Sequence, residues 1–116
     1  MPPAAADKAQ LGARAALAKK AEALLVLDVQ TLSTIGEYFL LCCGHSTTHV
    51  RTIADAVEAA LKEEGIRVGH REGEPTSGWV LLDYGDVIVH VFLPETREFY
   101  ALERLWGDAP ELRIEA

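Results

Sequence analysis

The chain has 116 residues, 49% of them apolar and 25% charged, a balance that fits one soluble globular domain with a core of its own. Its formal net charge of −7 excludes the basic character of a protein that binds naked nucleic acid, and suits a partner with a basic surface. No apolar run approaches the length of a membrane span, and the N-terminus lacks both a hydrophobic signal core and an arginine-rich presequence, which points to the cytoplasm.

Residues 1–6 read as a disordered tail. From Asp7 to about Glu22 the composition favours a helix, with Asp7 as N-cap, Leu11 and Leu17 among its apolar positions, and Gly12 weakening it. Residues 24–29 then read as a strand buried on both faces, and 31–35 as a turn. Residues 38–43 make a second buried strand, closed by Gly44. It contains the chain's two cysteines, Cys42 and Cys43. Strand neighbours point to opposite faces, so these thiols do not bridge each other.

Ser46 is suited to cap a helix whose apolar stripe is Val50, Ile53, Ala54, Val57 and Leu61, with Gly65 ending it. A shorter strand over 66–71 and a polar loop over 72–78 follow. Two apolar runs then flank Asp83-Tyr84-Gly85-Asp86, the pattern of a strand–turn–strand hairpin, with Gly85 supplying the reversal. Pro94 ends the second run. Phe99, Leu102 and Trp106 give a terminal helix an apolar stripe, Gly107 stops it, and 109–116 reads as a tail. The passage from Tyr38 through Val68 predicts a parallel strand pair with a helical crossover, and the hairpin an antiparallel one. The fold class is α/β, a single mixed sheet of about five strands packed by helices.

The chemistry offered by single residues is thin. His45 and His49 are four apart on a helix, but no third metal ligand and no His-Glu-x-x-His pattern accompany them. Gly44-His45-Ser46 joins a strand to a helix, where backbone N–H groups can hold an anion, and it echoes the Gly-Ser corner of nucleotidyltransferases. A nucleotide-binding enzyme is therefore the alternative reading, although Asp83 and Asp86 are separated by a turn rather than set together to hold magnesium. Neither cysteine sits in a nucleophile signature, and His90 reads as a hydrogen-bonded core or surface residue. No catalytic residue, metal or cofactor is expected.

The hairpin carries the sharper signal. In a regular strand Trp79, Leu81 and Asp83 share one face, and Val80, Leu82 and Tyr84 the other. Both faces are apolar; the core needs one, and an outward Trp, Leu and carboxylate in a row form a protein-docking surface. An uncapped hairpin edge would also allow pairing with a second copy, giving a homodimer.

The words along the chain resemble those of the ribosomal silencing factor family, also called RsfS, YbeB or Iojap-like. The resemblance rests on Val26-Leu27-Asp28-Val29, Glu37-Tyr38-Phe39, Gly44-His45-Ser46, Ile53-Ala54-Asp55-Ala56-Val57 and above all the block from Gly78 and Trp79 to His90. It continues through Arg97, Phe99, Tyr100, Leu102, Glu103, Leu105, Trp106 and Asp108, so that 7–108 forms one family-like domain. Departures are small: Gly36-Glu37 stands where Ala-Asp is common, and the 42–46 corner is less polar. The resemblance implies a nucleotidyltransferase-like fold without the active site. It also implies a translational repressor that binds the fourteenth large-subunit ribosomal protein and sterically prevents subunit joining when nutrients are scarce. The family's partner-facing residues map onto Trp79, Leu81, Asp83, Tyr84 and Asp86, with Glu98 an acidic addition at the rim. No sequence-specific nucleic acid and no membrane is implied.

Overall fold

Two six-residue runs, Tyr38–Cys43 (β2) and Val87–Phe92 (β5), are buried at every position and pair in parallel at the centre of the sheet. Strands without a solvent face belong in the middle, where both sides can be covered. Glu22–Asp28 (β1) runs antiparallel to β2, Trp79–Asp83 (β4) antiparallel to β5, and His70–Glu72 (β3) antiparallel to β4, giving the order β1-β2-β5-β4-β3. Among the described residues three α-helices accompany the sheet: Ala5–Ala18 (α1), Thr47–Glu63 (α2) and Pro94–Tyr100 (α3). This computed structural model describes residues 4–30, 36–101, 109–112 and 114. The expected 31–35 turn and Leu102, Trp106 and Gly107 lie outside the described residues.

The mixed five-stranded sheet agrees with the sequence reading, but the parallel partner of β2 differs from expectation. The strand after α2 runs in the same direction as β2 and is separated from it by β5 and β4. The apolar content of the two candidates explains the choice. All three residues of β3, His70, Arg71 and Glu72, are exposed, which suits an edge, whereas β5 can be buried on both faces. Over Leu81–Asp83 the outer side of the hairpin is paired by β3, so this stretch is not the uncapped edge that the sequence reading expected.

α1 and α2 cover one face. The α2 stripe of Val50, Ile53, Ala54, Val57 and Leu61 is buried as expected, and Ser46 Oγ accepts from the His49 N–H at 3.1 Å as its N-cap. α1 behaves differently from expectation. It starts at Ala5, with Ala4 at the cap and Asp7 in the first turn, where a carboxylate favours the helix dipole instead of capping. Its buried stripe is Ala5, Ala9, Gly12, Ala13 and Ala16, while Leu11 is half-buried and Leu17 is 43% exposed. Small residues let the helix lie close: a Cβ on Gly12 would sit 3.3 Å from the Leu40 side chain and 3.6 Å from Val57.

β1 is less buried than expected, with Glu22 and Ala23 exposed and Leu24 and Leu25 half-buried. Its outer edge is not bare, however. Asp28 N–H donates to the Pro110 carbonyl at 2.7 Å, Leu112 N–H donates to the Val26 carbonyl at 2.8 Å, and Leu27 bridges Glu111. Residues 110–112, expected in a tail, thus pair with the sheet, and Leu112 and Ile114 pack on the core.

The second face carries its own apolar layer of Leu27, Val29, Phe39, Leu41, Cys43, Ile88 and Phe92. Cys42 points to the helix side and Cys43 to this one, both free and buried, and burial pushes the Cys42 thiol up to about 12. Arg97 of α3 donates to the Ala23 carbonyl and lies 3.5 Å from Cys43 Sγ, tying that helix to the second face.

Candidate functional site

The hairpin divides its side chains as the alternation predicts. Val80 and Leu82 are fully buried beneath the helices, and Trp79, Leu81 and Asp83 lie half-buried on the opposite face. The turn closes with Tyr84 N–H donating to the Val87 carbonyl at 2.9 Å, and Gly85 adopts φ +85° at its tip. Asp83 Oδ1 accepts from the Gly85 N–H at 2.7 Å, so this carboxylate shapes the turn as well as the surface.

Register fixes the neighbours. Trp79 stands opposite Phe92, Leu81 opposite His90 on one side and Glu72 on the other, and Asp83 opposite His70. Directly paired residues share a face, so Glu72 and His70 join the Trp79–Leu81–Asp83 row. Arg71, between them, points to the other side and bonds Asp55 at 3.0 Å and Glu58 at 3.2 Å on α2. Glu72, Gly73, Ser77, Trp79, Leu81 and Thr96 line a shallow cleft of about 250 Å³. Gly73 makes that wall possible: its φ is +87°, and a Cβ there would fall 2.1 Å from the Trp79 carbonyl oxygen.

Under the row lies an aromatic layer. Trp79 Nε1–H donates to His90 Nδ1 at 3.1 Å, and its ring is 5.8 Å from the His90 ring and 5.1 Å from Phe92. Phe39 meets His90 edge-on at 5.4 Å. Burial alone pulls the His90 imidazole from its ordinary 6.5 down to about 4, so it is neutral at physiological pH. With the indole's single polar atom engaged by His90, what Trp79 offers at the surface is carbon.

Two other expected partner-facing residues are placed differently. Tyr84 is buried in the helix-side core, its hydroxyl has no hydrogen-bond partner among the described residues, and burial pushes it up to about 12. The odd–even alternation already set it opposite Trp79. Asp86 accepts from Lys8 Nζ through both carboxylate oxygens, at 3.0 and 3.1 Å, and so pins the hairpin tip to α1. Glu98 is exposed on α3. Glu72 enters the row only through the β3–β4 register, which no local pattern in the sequence announces.

The corner at 44–46 is filled from within. Ser46 caps α2, Gly44 N–H donates to the Phe92 carbonyl at 2.9 Å, and a Cβ on Gly44 would lie 2.7 Å from Val50 N. His49 Nδ1 accepts from the His45 N–H at 2.9 Å, and its Nε2 lies 2.8 Å from the Lys19 carbonyl, so both ring nitrogens are engaged. Among the described residues no group of three or more His, Cys, Asp or Glu could hold a metal ion, and no helix is long and apolar enough to cross a membrane.

Comparison with known proteins gives this surface a context. The family model described as "Ribosomal silencing factor during starvation" matches residues 2–116. A ribosomal silencing factor RsfS from Halalkalibacterium halodurans is 42% identical over 106 residues, covering 91% of each chain. The one from Bacillus subtilis is 47% identical over 92 residues, covering 79% of this chain and 78% of that protein. Among solved structures, a crystal structure of a Chromobacterium violaceum protein superposes with a TM-score of 0.84 at 32% identity, covering 95% of this chain and 91% of that one. The family acts in translation by binding the ribosome and not by catalysis. The match over nearly the whole chain, together with the sheet and hairpin described above, establishes that the chain belongs to the ribosomal silencing factor (RsfS/YbeB/Iojap) family.

Proposed function

We propose that this protein silences the ribosome by docking its Trp79–Leu81–Asp83 face on the fourteenth large-subunit ribosomal protein, in the cytoplasm, and so sterically blocks the small subunit when nutrients are scarce. The observation that carries the reading is the half-buried Trp79 and Leu81 beside a cleft, set in a row with the carboxylates of Asp83 and Glu72. Apolar anchors within a charged rim are the usual anatomy of a protein interface. The net charge of −7 favours encounter with a basic ribosomal protein. In this reading Tyr84 and Asp86 hold the hairpin in place from behind, Glu98 contributes charge at the rim, and the nucleotidyltransferase-like sheet serves as a docking scaffold.

Sucrose-gradient profiles of purified large and small subunits test the proposal, with and without saturating protein. Added protein should raise the free-subunit peaks at the expense of joined ribosomes. Joining that proceeds unchanged would exclude the mechanism. A pull-down with the isolated ribosomal protein tests the partner separately.

A further inference from the structure

His90 sits in an aromatic layer where a phenylalanine would serve for packing: Phe92 stacks on it at 5.9 Å with the planes 6° apart, and Phe39 meets it edge-on. An imidazole adds only two nitrogens to such a site. His90 is 5% exposed, and its Nε2 has no hydrogen-bond partner among the described residues. Because Nδ1 accepts from the indole, the proton of the neutral ring resides on Nε2. The ring therefore carries a buried N–H that no described residue accepts, an arrangement that costs stability. The one return for this cost is the Nδ1 acceptor, and it is aimed at Trp79. That bond distinguishes the two flipped orientations of the indole, since only one places Nε1 over His90.

We propose that His90 is a positioning residue that pre-orients the Trp79 indole for docking on the large ribosomal subunit. The inference rests on the docking face proposed above. A side chain already fixed in its bound orientation loses less freedom on association. His90 itself lies beneath the surface and acts through the tryptophan.

The test uses the full chain. In the 15N-labelled protein at neutral pH, the indole N–H of Trp79, assigned with Trp79→Phe, should show a scalar coupling across the hydrogen bond to His90 Nδ1. The His90→Phe variant keeps the ring contacts and removes the orphan donor, so folding is retained. Its affinity for purified large subunits should fall about two- to tenfold, the effect of one unfixed side chain. Placed on a Trp79→Phe background, His90→Phe should have no further effect, whereas a general structural role would weaken binding in both backgrounds. Absence of the coupling in the parent, or a folded His90→Phe variant that binds as tightly as the parent while Trp79→Ala does not, overturns the inference and leaves the docking face standing. If Trp79→Ala also binds as tightly as the parent, the docking face falls and the role of His90 falls with it.

Discussion

His90 should make the folded protein sensitive to mild acid. Burial holds its folded value near 4, below the 6.5 of an exposed imidazole, so between these values the unfolded chain binds a proton that the native state refuses. The stability contribution is complete above about pH 6.5 and is lost as the pH falls toward 4. Integrating one proton between pH 7.5 and pH 5 gives a loss of about 2 kcal/mol. His90→Phe cannot make this contribution, so the comparison separates His90 from every other group that titrates in the same range. Urea unfolding of parent and variant at half-unit steps across this range gives the two profiles. The difference in free energy of unfolding, parent minus His90→Phe, should fall by about 2 kcal/mol over the range, with unchanged m-values. Parallel profiles would refute the reasoning, because they would mean that His90 protonates equally in both states.

Trp79→Ala should weaken binding to the large subunit by about 2 kcal/mol or more, roughly thirtyfold, as a central aromatic anchor does, with circular dichroism confirming that the variant folds. Asp83→Asn keeps the acceptor for the Gly85 N–H and removes only the charge, so its effect on binding should stay within about 1 kcal/mol and shrink in high salt, measured as dissociation constants at two ionic strengths. The Lys8–Asp86 bridge joins two partly buried groups, and a double-mutant cycle with Lys8→Met and Asp86→Asn should return a coupling of about 1 kcal/mol in denaturant unfolding, with the double variant no less stable than the worse single one. Gly73→Ala should destabilise the fold by about 2 kcal/mol or more, because the Cβ meets the Trp79 carbonyl in a backbone conformation that alanine disfavours, and the melting temperature should fall accordingly.

Elements with a clear hydrophobic period were legible in the sequence. The α2 stripe, its Ser46 cap, the buried β2 and the two faces of β4 all follow from spacing alone. α1 is hard to read because its buried stripe is alanine and glycine, residues that transfer scales rank weakly but that close packing favours, while its leucines lie nearer solvent. The strand order was hidden for a different reason. Which strand lies beside β2 is decided by comparing the burial demands of β3 and β5, a choice that no local pattern records. The same holds for the site. Alternation puts Trp79, Leu81 and Asp83 on the outward face, and likeness to the family adds Tyr84 to the proposed set although alternation places it inside. Asp86 depends on a contact with Lys8 of α1, 78 residues away, and Glu72 on the pairing of its own strand β3 with β4.

The sheet's two flanks bear on how a chain with tryptophan and leucine at its surface limits strand-to-strand association. An open strand edge offers a line of unpaired donors and acceptors to any neighbouring chain, and exposed apolar side chains nearby would strengthen such a contact. On one flank residues 110–112 already engage β1, taking up the Asp28 N–H and the Val26 carbonyl. On the other flank β3 is three residues long, polar throughout and preceded by Gly69, which leaves a visiting strand little to pair with. Sideways polymerisation is thereby discouraged at both flanks, and the apolar row on the broad face can stay available for a partner that recognises side chains instead of backbone.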